Sequence, residues 1–135
     1  MKLSTKSEYA CLALIDLSEN HDKGLIKIEG ISKRKNIPKK YLEQILLLLN
    51  RAGYLKSKRG SEGGYKLSKS PDKITVAEIV RLMDGALAPV DSVSKYFYEK
   101  TPIEQNKNLI KLFKEIRNYI ADKMEKTTFQ ELIKK

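Results

Sequence analysis

Two short runs in this chain carry side chains suited to reading a nucleic acid. The first is Lys39-Lys40-Tyr41-Leu42-Glu43-Gln44, and the second is Ser57-Lys58-Arg59-Gly60. A glutamine amide offers a donor and an acceptor in the geometry of adenine N6/N7, so Gln44 is a candidate base reader. Lys39 or Lys40 can reach guanine or a phosphate. Glu43 can accept from cytosine N4 or pair with a neighbouring lysine. Arg59 is the kind of cation that a narrow minor groove attracts. Tyr41, Arg51, Ser57, Lys58 and Gly60 complete the set of candidate contacts. Nothing comparable points to catalysis. The chain has one histidine, His21, so there is no Ser/His/Asp set, and no acid–base pair falls in a plausible pocket. A single cysteine, Cys11, excludes an internal disulfide and a cysteine-only metal site. The expectation is a binding protein and not an enzyme, with no metal and no cofactor.

The charge balance agrees. Lys and Arg number 27 against 17 Asp and Glu, a formal net charge of +10 in 135 residues. Such a balance points to a polyanion, nucleic acid before an anionic membrane. The excess is concentrated. Residues 31–60 hold nine basic side chains, Lys33, Arg34, Lys35, Lys39, Lys40, Arg51, Lys56, Lys58 and Arg59, and one acidic one, Glu43. No apolar run approaches the ~20 residues of a membrane span. The absence of a signal-peptide apolar region predicts a chain that stays in the reducing cytoplasm.

The elements that must carry these residues follow from pattern. Thr5-Lys-Ser-Glu8 reads as a capping box opening a helix with Ala10, Leu14 and Leu17 on its apolar face. Leu25-Ile-Lys-Ile28 suggests a strand. A short helix over 29–35 breaks at Asn36-Ile37. A longer one, with Pro38 in its first turn, runs through Leu42, Ile45, Leu46 and Leu49 to a stop at Gly53. That is helix-turn-helix spacing. Tyr54–Ser57 and Gly64–Leu67 flank the glycine-rich tip of SKRGSEGGYKL. A Walker loop needs Lys-Ser/Thr and then a helix, and a dinucleotide loop needs a helix downstream. Here a strand-like segment follows, so the hairpin reads as a wing beside the helix-turn-helix. Thr75–Glu78 and Thr128–Glu131 are two more capping boxes. Between them a long helix is expected from about Ile103. Leu109, Phe113, Ile116 and Ile120 step by four, three and four along it, the seam of a coiled coil, and Leu112 widens the seam.

Four stretches carry a family resemblance: MKLSTKSEYA at 1–10, IPKKYLEQIL at 37–46, AGYLKSKRGSEGGYKLSKSPDKITVAEIV at 52–80, and TTFQEL at 127–132. They resemble the IscR/NsrR/CymR-type family of bacterial winged-helix transcriptional regulators over nearly the whole chain. The resemblance implies a homodimer on a palindromic operator. Each recognition helix would enter a major groove and each wing a minor groove, with the long helices crossing as the dimer contact. Members that hold an iron–sulfur cluster carry three cysteines between the fourth helix and the long helix. Residues 85–104 here contain neither Cys nor His, and GALAPVDSV looks like the CymR branch, which lacks a cluster. Glu8 is a ligand position in some cluster-binding relatives, but the capping box explains it here.

The fold expected is mainly α with a small β wing. A winged helix-turn-helix domain over 1–84 is followed by an effector or linker segment over 85–103 and by a dimerisation helix with a short C-terminal helix over 104–135. The partners expected are double-stranded DNA with an inverted repeat, a second copy of the chain, and a small-molecule effector or a metabolic enzyme. Tyr96 and Tyr98 could line an effector pocket or pack the segment against the dimer helices. The function expected is a transcriptional repressor under a non-cluster signal. The alternatives are an iron–sulfur or thiol redox sensor, and an RNA-binding or interaction module with secondary DNA binding.

Overall fold

The computed structural model describes residues 2–134, which form six α-helices and one two-stranded antiparallel sheet. Helix α1 spans Thr5–Glu19. Its cap is Ser4, whose hydroxyl accepts from the Ser7 N–H at 3.0 Å. The capping box expected at Thr5–Glu8 is therefore displaced by one residue, and Glu8 is exposed with no part in it. Ser4 also donates its N–H (3.1 Å) and its hydroxyl to the Asp84 carboxylate. Burial opposes ionisation of Asp84, but these bonds prevail and hold its carboxyl below the usual range. One serine thus caps α1 and ties its start to Asp84, 80 positions along the chain.

The segment expected as a strand at 25–28 forms only a bridge. Ile26 exchanges bonds of 2.7 and 2.8 Å with Tyr65. Helix α2 (Ile28–Lys35) ends at Asn36 in the left-handed region, with φ 53, and α3 (Lys39–Arg51) begins directly after Pro38, which occupies the cap position. Ile37, between them, is buried. Strands β1 (Leu55–Lys58) and β2 (Gly64–Leu67) pair from Leu55 with Leu67 to Lys58 with Gly64. Helix α4 (Val76–Asp84) opens on a complete capping box, Thr75 with Glu78. The Tyr54 hydroxyl donates to the same Glu78 at 3.1 Å, tying the base of the hairpin to α4. Burial, with Glu78 adding to it, pushes this phenol up to about 12.

Helix α5 spans Lys107–Lys126. It starts later than Ile103 because Pro102–Gln105 forms a 3-10 turn, and Asn106 then caps the helix by accepting from the Leu109 N–H at 2.9 Å. Helix α6 (Phe129–Leu132) follows, with Thr128 accepting from the Glu131 N–H at 3.3 Å. Only this half of the expected third capping box forms among the described residues.

The core lies between α1, α2, α3, α4 and the hairpin, around Leu14, Leu17, Ile31, Leu42, Leu46, Leu49 and Ile79. Phe129, grouped by sequence with the dimerisation segment, is fully buried in this same core. The chain returns there through two backbone bonds, Val76 N–H to Thr127 (2.9 Å) and Phe129 N–H to Ile74 (3.0 Å). Cys11 is half-buried against both this core and a smaller cluster of Ala77, Val80 and Leu87.

Candidate nucleic-acid interface

Helix α3 buries Leu42, Ile45, Leu46 and Leu49, so the rest of its surface is left outward. Lys39, Lys40, Tyr41, Glu43, Gln44, Leu47 and Arg51 are all exposed. At 3.6 residues per turn, Lys40, Gln44, Leu47 and Arg51 form one stripe with Glu43 beside it. Glu43 makes no ion pair among the described residues, so the lysine pairing considered for it is not made in the free chain. Lys39 does pair, with Glu29 at 3.2 Å. A backbone hydrogen bond, with Lys39 adding to it, holds the Glu29 carboxyl below its usual range. The ring of Tyr41 meets that of Tyr9 edge-on, with centroids 5.3 Å apart and planes at 79°.

Beneath the helix-turn-helix lies a bidentate ion pair. Arg34 Nε and Nη2 donate to the two carboxylate oxygens of Asp16 at 2.7 and 2.9 Å. Asp16 is only 1 % exposed, and it fastens α2 to α1. Lys35 pairs with Glu19 at 2.9 Å. Of the nine basic residues counted over 31–60, Arg34, Lys35 and Lys39 are thus held by carboxylates of the domain itself. The remaining six, Lys33, Lys40, Arg51, Lys56, Lys58 and Arg59, are exposed and make no ion pair among the described residues.

The wing carries Ser57, Lys58, Arg59 and Gly60 on its exposed rim. Its tip turns at Gly60, which has φ 99. Gly63 closes the turn with its N–H on Gly60 at 3.0 Å. A Cβ at Gly63 would lie 2.1 Å from the Lys58 carbonyl oxygen, so that position has room only for hydrogen. Lys27, at the entry to α2, donates to the Ser61 carbonyl at 2.8 Å and braces the tip from the side. Lys27, which braces the wing, and Leu47, exposed on the α3 stripe, are members of this candidate face that sequence reasoning missed. The four-three-four stepping from Lys40 through Gln44 and Leu47 to Arg51 was the signal for Leu47. Nothing local signalled Lys27, whose contact crosses 34 positions.

A family model described as "Rrf2: Iron-dependent Transcriptional regulator" matches residues 3–135. The chain belongs to the Rrf2 family. It is 33% identical over 132 residues to the HTH-type transcriptional regulator CymR of Bacillus subtilis, covering 98% of this chain and 89% of that protein. It is 43% identical over 86 residues to the HTH-type transcriptional regulator IscR of Cereibacter sphaeroides, covering 62% of this chain and 56% of that protein. The solved structure of CymR, "the Global Cysteine Regulator of B. subtilis", superposes with a TM-score of 0.79 at 32% identity, over 98% of this chain and 96% of that one. As an Rrf2 protein the chain is a DNA-binding transcriptional regulator of winged-helix fold, and its relatives are regulators and not enzymes.

The iron in the Rrf2 family description does not fit this chain's donors. Iron–sulfur clusters are held by thiolates. The only thiol here is Cys11, which burial, with Asp84 adding to it, pushes up to about 11. Among the described residues no three His, Cys, Asp or Glu side chains gather to hold a metal. No described helix is long and apolar enough to cross a membrane.

The segment between α4 and α5 does not bring Tyr96 and Tyr98 together. Tyr96 lies under the Arg81 guanidinium, 4.9 Å from its ring centroid, where Arg81 also bonds Glu125 at 2.6 Å. It lines a cleft of about 50 Å³, space for a few waters and not for a drug-sized ligand. Tyr98 faces a different groove, beside Lys107, Lys111 and Lys114, with its hydroxyl bonded to Glu104.

Proposed function

We propose that this regulator acts as a homodimeric cytoplasmic repressor on an inverted-repeat operator, each copy reading one half-site. In this reading α3 lies in the major groove, with Gln44, Glu43 and Lys40 at the base edges. Arg59 enters the adjacent minor groove while Ser57, Lys58 and Gly60 follow the backbone, and Arg51 and Tyr41 hold flanking phosphates. The observation that carries the reading is the outward stripe of α3 beside a glycine-tipped wing, with six cations left free of the domain's own carboxylates. The dimer is supported by α5. None of its 20 residues is buried in the single chain, and Leu109 and Leu112 are 37% and 48% exposed. An apolar groove lined by Leu3, Val80, Met83, Leu87, Pro89 and Met124 runs beside Ile120 and extends that surface. The signal is a small molecule or a partner protein acting at 85–103, between α4 and α5, and not a cluster. It alters affinity by favouring one spacing of the two recognition helices.

The test is selection of duplexes from a random pool by the purified protein, followed by sequencing. The expected product has dyad symmetry, with half-sites one helical turn or a multiple apart. Gln44→Ala should then cost about 1–3 kcal/mol at one base pair per half-site. A pool without dyad symmetry, or equal losses on every sequence, would remove the operator model.

A further inference from the structure

Leu47 is out of keeping with its surroundings. Its neighbours Leu46 and Leu49 are fully buried, yet Leu47 is 47% exposed. A lone exposed leucine is ordinarily unremarked surface. The position of this one is what matters. At about 100° per residue, Leu47 lies within about 20° of Lys40, 40° of Glu43 and Arg51, and 60° of Gln44 around the helix axis. It is therefore central to the polar stripe, and it is the only member of that stripe without a hydrogen-bonding side chain.

Base edges in the major groove offer one apolar feature, the C5-methyl group of thymine. Leu47 is three residues beyond Gln44, about 4.5 Å further along the axis. The step between base pairs is about 3.4 Å. We propose that Leu47 is a specificity-determining residue that selects a thymine by its methyl group, at a base pair neighbouring the one read by Gln44. The inference rests on the docking of α3 in the major groove and adds a base preference to it. Burying one methyl changes affinity by roughly fourfold, and the two half-sites of a dimer make this roughly fifteenfold.

The experiment uses the full chain and its selected operator. Each thymine of the half-site is replaced in turn by deoxyuridine, which keeps pairing and the O4 acceptor and removes only the methyl. Wild type should bind more weakly at one thymine per half-site, about fourfold for one substitution and fifteenfold for both. Leu47→Ala and Leu47→Gln should bind thymine and deoxyuridine duplexes alike. Thermal melting should show both variants folded, since the side chain is outward. A flat deoxyuridine scan with wild type overturns the proposal. So does a Leu47→Ala protein that keeps the wild-type preference for the methyl. Gln44→Ala on the same duplexes separates the two failures. If it weakens binding while the scan is flat, only the leucine reading fails. If it too is silent, the docking of α3 fails with it.

Discussion

Asp16 sits inside the packed face of α1 with both oxygens bonded to Arg34, whose side chain is 47% exposed. Removing the arginine would strand a buried carboxylate, and water reaching in from the arginine's side would relieve part of the cost. Arg34→Ala is expected to lower stability by about 1–3 kcal/mol in urea unfolding. Lys35→Ala, at a more open pair, should change it by less than ~1 kcal/mol. Equal effects would show that burial of Asp16 does not set the difference. Cys11 gives a pH dependence. Its folded pKa of about 11 stands above the ordinary 9.0, because burial disfavours the thiolate. The neutral thiol's contribution is complete below the ordinary value and is lost as pH rises from there through the folded value. Wild type should therefore lose stability relative to Cys11→Ala over that window. At pH 8, iodoacetamide should label the folded protein far more slowly than the unfolded chain.

Among the elements, α6 has a role that its four residues do not advertise. Its N-terminal residue Phe129 is fully buried in the core, α6 packs on α1 and on the turn at Pro71–Lys73, and Phe129 and Thr127 pair through their backbones with Ile74 and Val76. Phe129→Ala should cost about 3–5 kcal/mol. The loss should appear as melting of the DNA-binding core, read by hydrogen exchange at Leu14 and Leu46, and not as dissociation of an intact dimer. A variant that dissociates while those amides stay protected would place α6 with the dimer contact instead. The wing shows the opposite economy. Its tip depends on Gly60 for the turn, on the lack of a Cβ at Gly63 and on the reach of Lys27, with little apolar burial of its own.

For the whole molecule, charge and apolar surface divide the work. Of the six cations of 31–60 left free, Lys40 and Arg51 lie on α3 and Lys56, Lys58 and Arg59 on the wing, and a dimer would present each of them twice. If roughly six to ten phosphates are neutralised, operator affinity should fall by about 10³–10⁵ between 50 and 200 mM salt. A slope near that of two or three contacts would mean that most of these cations never meet the backbone. The seam of α5 is the other half of the architecture. Phe113, Ile116 and Ile120 are only partly covered by the chain itself. Ile116→Asp with Ile120→Asp would force charge into any helix–helix contact there, costing several kcal/mol. Light scattering should then report monomer. A stable dimer from the double variant would move the contact elsewhere.

The sequence by itself determined the helix-turn-helix, the wing and the long helix, because each is written in local pattern. Apolar periodicity marked α3, three glycines marked the hairpin tip, and the Thr75–Glu78 box fixed the start of α4 as expected. It also determined the excess of cations and the single thiol, which are matters of composition. Tertiary structure alone decided which charges are free. Arg34, Lys35 and Lys39 look like any other cations of the patch until α1 and α2 bring Asp16, Glu19 and Glu29 against them. The same holds for Ser4, which displaced the expected Thr5 box and also holds Asp84, and for Phe129, which left the dimer segment for the core. These choices depend on partners 10 to 80 positions away. Periodicity reports what a residue offers to its own turn, and only folding brings up the distant group that takes it.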